Sequence, residues 1–168
     1  MSELIESIFR EYDIRGIFPD ELNEDSIAKI AQSIAHKCNK ESVDEVVIAR
    51  DGRLSGPSLL ESLQKSLNAN GINTINLGLA TSPLLYYAAK KQPSKSGIMI
   101  TGSHNPKNYN GIKLVIDDKP VSGTEIFGLS KTDIFSGNSK GENRFLDIKD
   151  DYITCLLYTS PSPRDGTS

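Results

Sequence analysis

Apolar side chains recur at Ile27, Ile30, Ala31, Ile34, Ala35 and Cys38, a three-and-four spacing that predicts one buried face of a helix. Asn23 stands where an N-cap belongs, and Glu24 and Asp25 suit the positive end of the helix dipole. His36 falls off the stripe and is expected in solvent. A second helix begins at Ser55, with Pro57 in its first turn and Leu60, Leu63 and Leu67 facing inward; Asn70-Gly71 stops it. Ser82-Pro83 predicts a cap and first turn for a third helix reaching Lys91, and 124–136 reads as a weak fourth.

Between these lie short apolar runs. Val46-Val47-Ile48-Ala49 and Gly97-Ile98-Met99-Ile100 are continuously apolar, as expected of strands covered on both faces. Residues 72–77 alternate apolar with Asn or Thr, and 111–116 reads as another strand. A short strand running into a loop is expected within 7–18, and 137–143 reads as a polar linker. Strands alternating with helices predict a three-layer α/β/α domain around a mostly parallel mixed sheet. The hop from Ile100 to Gly111 is too short for a helical crossover, so that last strand is expected to run antiparallel. The loops at Arg50–Arg53 and Thr101–Pro106 then leave one rim of the sheet, where ligands bind in such folds.

Composition narrows the function classes. The 168 residues suit about one domain, and 37% hydrophobic with 24% charged residues imply a packed core. Net charge is −3 with no long basic run, which argues against nucleic acid and membrane surfaces as partners. No apolar stretch approaches a membrane span, and the N-terminus lacks the plan of a signal peptide, so a cytoplasmic location is expected. The two cysteines have no histidine spacing that suggests zinc, and Cys38 reads as a small core residue.

The chemistry concentrates in Thr101-Gly102-Ser103-His104-Asn105-Pro106. A serine beside glycine at a strand end is open to close approach by a ligand. All these residue types also build ordinary turns. A serine-hydrolase reading fits poorly: no G-x-S-x-G elbow is present, and on an extended backbone neighbouring Ser103 and His104 point apart. No Walker-type phosphate loop occurs either.

Three segments together resemble the α-D-phosphohexomutases: FREYDIRG at 9–16, VVIARDGRLSGP at 46–57 and TGSHNPKNYNGIK at 101–113. The forms of the first and last resemble the phosphomannomutase/phosphoglucomutase branch. The resemblance covers essentially 7–154, so 1–154 is expected to be the family's first, phosphoserine-bearing domain. It implies an enzyme, an isomerase that interconverts hexose 1-phosphate and hexose 6-phosphate of mannose or glucose. Ser103 would carry the phosphoryl group, and a hexose 1,6-bisphosphate would be the intermediate. It implies Mg2+ bound through the phosphate on Ser103, proton transfer by Lys113, and either proton transfer or a structural hydrogen bond from His104. Tyr12 and Arg15 match family positions that meet substrate or phosphate, and Asn105 is expected beside the phosphate loop, holding its shape. Arg53, on the neighbouring loop, could neutralise phosphate. A salt bridge to Asp51 explains Arg53 equally well. A phosphoserine carries about −1.5 to −2 charges, so cations of this kind are a physical requirement.

The family's aspartate-rich D-G-D-x-D-R metal loop is absent from the sequence. The later domains are therefore expected to be missing, and this chain is expected to be inactive alone. Residues 155–168, CLLYTSPSPRDGTS, differ in character from the rest: either they are a native disordered linker or, as preferred here, Cys155 to Asp165 is one translated frame of a transposase sequencing adapter, so native sequence is expected to end near Thr154. Two other readings stand beside the mutase: a stand-alone domain that binds sugar phosphate without turnover, and a nucleotide-binding α/β domain. The second would need a glycine-rich phosphate loop after the first strand, and none is there.

Overall fold

A computed structural model describes residues 4–132 and 139–159. The stripe on 24–40 forms α1, Glu24–Lys40, and all six of its predicted apolar positions are buried. Its start is a reciprocal cap: the Ser26 amide donates to Asn23 Oδ1 at 3.0 Å and the Asn23 amide donates to Ser26 Oγ at 2.8 Å. Each fully buried isoleucine on this face contributes about 1.5–3 kcal/mol. His36 is half-buried rather than solvated.

Around α1 stand β1 (Ile14–Ile17), β2 (Glu45–Arg50), α2 (Gly56–Ala69), β3 (Asn73–Leu79), α3 (Ser82–Lys91), β4 (Gly97–Ile100), β5 (Tyr109–Ile116), β6 (Lys119–Pro120), α4 (Gly123–Ser130), β7 (Asn143–Phe145) and α5 (Lys149–Thr159). The sheet order is β1-β5-β4-β2-β3-β7, with β6 paired to β5. β4, β2, β3 and β7 are mutually parallel, and β5 runs against both β4 and β1, as the short connection from β4 requires. The expected α/β/α architecture with one opposed strand is the observed one.

The continuous apolar runs are explained by the two sides of the sheet. Val46 and Ile48 pack into the larger core beneath α1, α2 and α4, whereas Val47 and Ala49 pack into the smaller core beneath α3. In β4, Ile98 and Ile100 face the first core and Met99 the second. Side chains on successive strand residues point to opposite faces, so a strand covered on both sides has no polar position to alternate with.

Several boundaries differ from expectation. Thr81, not Ser82, caps α3, accepting from the Leu84 amide at 3.4 Å. Ser55 precedes α2 without capping it, because its hydroxyl accepts from Asn110 Nδ2 at 2.8 Å. The helix expected over 124–136 is α4, which starts at Gly123 under a Ser122 cap and ends at Ser130; positions 133–138 lie outside the described residues.

Part of the polar stretch read as a linker over 137–143 instead leads into β7 on the edge of the sheet. Its pairing is polar: Thr74 Oγ1 donates to Asn143 Oδ1 at 2.9 Å, and buried Asn68 donates from Nδ2 to the carbonyls of Ile72 and Glu142. α5 crosses the expected end at Thr154 and buries none of its described residues, touching α3 through the Tyr87 and Tyr152 rings at 5.2 Å. Positions 160–168 lie outside the described residues. Among the described residues, no helix is long and apolar enough to cross a membrane.

Candidate active site

β2 and β4 are adjacent and parallel, and they end together: the Asp51 amide donates to the Ile100 carbonyl at 2.9 Å. The two expected loops therefore share one rim. Asp51 joins them. Its Oδ2 accepts from Thr101 Oγ1 at 2.9 Å and from the Gly102 amide at 3.1 Å, and its Oδ1 accepts from the Arg53 amide at 3.1 Å. Thr101 passes the constraint on by accepting from the Ser103 amide at 2.9 Å.

Ser103 is exposed and holds a left-handed backbone with φ 51°. This conformation is costly for a residue with a Cβ and persists only where surrounding contacts impose it. It also overturns the expectation that Ser103 and His104 point apart. That expectation assumed an extended backbone; with φ reversed, Ser103 Oγ lies 3.2 Å from His104 Nδ1.

Asn105 braces the loop. Its amide and its Nδ2 both donate to the Gly102 carbonyl, at 3.0 and 2.7 Å, and its Oδ1 accepts from Arg15 Nη1 at 3.2 Å. All three of these bonds are made within the protein. Arg53, read either as a neutraliser of phosphate or as a partner of Asp51, does make the second contact. Its guanidinium donates to the carbonyls of Pro106, Tyr109, Ser103 and Asn105 and pairs with Asp51 at 3.4 Å.

Arg15 sits on β1 opposite Gly111 of β5. Its Nη2 lies 2.6 Å from Asp13 Oδ2, and Lys113 Nζ lies 3.4 Å from the same oxygen. The carboxylate is almost buried, at 7% exposure, while Arg15 and Lys113 keep 27% and 30%. Asp13 is the residue that sequence reasoning missed, although it lies inside the quoted EYDIRG segment. An acidic residue beside an arginine gives no sign of a second cation a hundred positions away. Tyr12, from the same segment, is 80% exposed and is not drawn into this network.

The structure therefore brings Ser103, His104, Asn105, Arg53 and Arg15 into one bonded assembly and attaches Lys113 to it through Asp13. In it, Arg15, Arg53 and Lys113 face two carboxylates, Asp13 and Asp51, which leaves one cation in excess. Such a surface favours an anion. A cleft of about 420 Å3 opens on the same rim between Asp51, Thr101 and the start of α3, with Lys149 at its edge; Ser103 does not line it. No group of three or more His, Cys, Asp or Glu able to hold a metal occurs among the described residues.

Residues 6–129 match the family described as phosphoglucomutase/phosphomannomutase, alpha/beta/alpha domain I. The chain is 44% identical over 126 residues to a phosphomannomutase/phosphoglucomutase of Pseudomonas putida, covering 75% of this chain and 27% of that protein. It is 40% identical over 153 residues to the protein of that name from Pseudomonas syringae pv. tomato, covering 89% and 33%. The crystal structure of a phosphoglucomutase/phosphomannomutase family protein from Burkholderia thailandensis matches with a TM-score of 0.85 at 33% identity, over 94% of this chain and 36% of that one. The chain thus spans about a quarter to a third of the length of the curated relatives it matches.

Proposed function

Because this chain belongs to the phosphoglucomutase/phosphomannomutase family, as its α/β/α domain I, we propose that Ser103 carries the phosphoryl group of a phosphohexomutase. The reaction interconverts hexose 1-phosphate and hexose 6-phosphate. A free hydroxyl of the sugar phosphate attacks phosphorus, the bond from phosphorus to Ser103 Oγ breaks, and a hexose 1,6-bisphosphate forms. The bisphosphate turns around and its other phosphate returns to Oγ.

The observation that carries this reading is the exposed, left-handed Ser103 with its hydroxyl 3.2 Å from His104 Nδ1. When phosphorus leaves, Oγ needs a proton; when phosphorus returns, it must give one up. His104 Nδ1 is within reach for both. Arg15 and Lys113 supply charge for a phosphate that would otherwise repel the incoming sugar phosphate. Arg15 presents a planar fork suited to phosphate oxygens. Lys113 exchanges the proton of the sugar hydroxyl.

A phosphate on Ser103 would offer oxygens to Mg2+, a hard cation that prefers oxygen ligands. The carboxylates nearest the loop, Asp13 and Asp51, are already shared with Arg15, Lys113 and Arg53. The described residues of this chain do not by themselves make a site for the ion.

Incubation of the full-length enzyme with glucose 1,6-bisphosphate followed by mass-spectrometric mapping tests the assignment. Phosphate should appear on Ser103 and vanish in Ser103→Ala. A stable phosphoryl group on any other residue would overturn the role given to Ser103.

A further inference from the structure

We propose that Arg53 is a positioning residue that sets the reactive geometry of Ser103 and does not bind the substrate phosphate. The inference rests on the phosphoserine reading above and deepens it.

A guanidinium has five N–H donors in a rigid planar fork and no acceptor. In Arg53 the donors meet five acceptors. Nη1 donates to the carbonyls of Pro106 at 2.6 Å and Tyr109 at 2.8 Å, Nη2 to those of Asn105 at 2.7 Å and Ser103 at 3.2 Å, and Nε faces Asp51 Oδ2 at 3.4 Å. The side chain is 14% exposed. A phosphate could take an Arg53 donor only by displacing a loop carbonyl.

The four carbonyls lie within seven residues of chain, 103–109. Binding all four to one guanidinium curls the loop around it, while Ser103 stays exposed. Gly102 completes the fit, because a Cβ there would overlap the Arg53 guanidinium carbon and Nε. Asp51 holds both ends, bonding the Arg53 amide and the Gly102 amide. Lysine cannot replace this arrangement: an ammonium has three donors diverging from one point and cannot serve five acceptors.

The test uses the 168-residue chain in wild-type, Arg53→Ala, Arg53→Lys and Gly102→Ala forms, followed by amide hydrogen exchange. The amides of Ser103, Asn105 and Tyr109 accept their order from within the loop. Their exchange should quicken by about tenfold or more in all three variants, because bonds to a charged donor are lost. Val47, in the core of β2, should be unchanged. In the full-length enzyme, Arg53→Lys and Gly102→Ala should lower kcat while KM for hexose 1-phosphate stays within about twofold, since misplacing a reacting group affects the transition state more than ground-state binding.

Unchanged loop exchange, or a raised KM at constant kcat, would overturn the proposal. Should Arg53→Ala fail to fold, the two charge-retaining variants decide it. If the loop loosens but Ser103 never accepts phosphate in the wild-type enzyme, the phosphoserine reading has failed and the anchoring by Arg53 has not. If Ser103 is phosphorylated and the loop is indifferent to Arg53, the reverse holds.

Discussion

Ser103 and His104 are sequence neighbours whose side chains meet, Oγ to Nδ1 at 3.2 Å, because Ser103 adopts φ 51°. The contact depends on a backbone conformation that L-residues avoid, and the surrounding loop enforces it. Substituting His104 with Ala should lower kcat of the full-length enzyme by about 100-fold, the usual range for losing one proton-transfer group. His104 is exposed, so the melting temperature of the variant should match wild type. A matching kcat would reduce His104 to a loop residue.

Asp13 pairs with two cations through one oxygen. Asp13→Ala leaves Arg15 and Lys113 without their shared counter-charge. We expect a loss of about 1–2 kcal/mol in urea unfolding, discounted from the value for a fully buried pair because both cations are partly in water. Full-length activity should fall as well, and Asp13→Asn should recover stability more than activity. Unaltered stability in Asp13→Ala would show the pairs to be energetically idle.

Gly111 lies where β5 crosses β1, and a Cβ there would overlap the Ile14 carbonyl oxygen. The neighbour is backbone and cannot swing aside. Gly111→Ala should therefore destabilise by about 1–3 kcal/mol, and loosen β1, which carries Arg15. Denaturant midpoints together with amide exchange at Arg15 measure both effects.

Two groups make stability fall at alkaline pH. Burial pushes the Cys38 thiol up to about 12 from an ordinary 9.0. Hydrogen bonds to Glu125 and then Glu41 hold the Lys37 ammonium above its ordinary 10.5. Both groups keep their protons longer when folded than when unfolded. Their contribution is therefore complete below about pH 9 and is lost as pH rises through the folded values. Unfolding free energies should decline from about pH 9 upward. Cys38→Ser should flatten the first part of that decline and Lys37→Met the later part. Native Cys38 should also resist thiol reagents at pH 8 until the chain is unfolded.

The 168-residue chain by itself should convert no glucose 1-phosphate to glucose 6-phosphate in a coupled assay. It offers one rim with a small excess of positive charge and, among the described residues, no carboxylate cluster for a metal. Measurable turnover would mean that one domain suffices.

Where a pattern of side chains and its burial share one period, the sequence alone determined the outcome. The stripe of α1, the doubly buried β2 and β4, and the reversal of β5 after a short hop are all local consequences of chain geometry. The family motifs likewise marked the serine loop and the segment containing Arg15. β7 and α5 were not legible, because β7 is held by buried amides and backbone pairing and α5 buries none of its described residues. Neither leaves an apolar period to read.

The site shows the same division. The segments at 9–16, 46–57 and 101–113 carried the resemblance to the phosphohexomutases, but the partners of their residues were decided only in three dimensions. Arg53 turned inward because folding placed four carbonyls and Asp51 around it. Asp13 became the hub for Arg15 and Lys113 because β1 pairs with β5 across about a hundred residues of chain. Ser103 met His104 because the loop forced φ positive. Hydrophobic period is a property of neighbours along the chain, whereas a hydrogen-bond partner is a property of neighbours in space, and only the folded sheet brings the latter together.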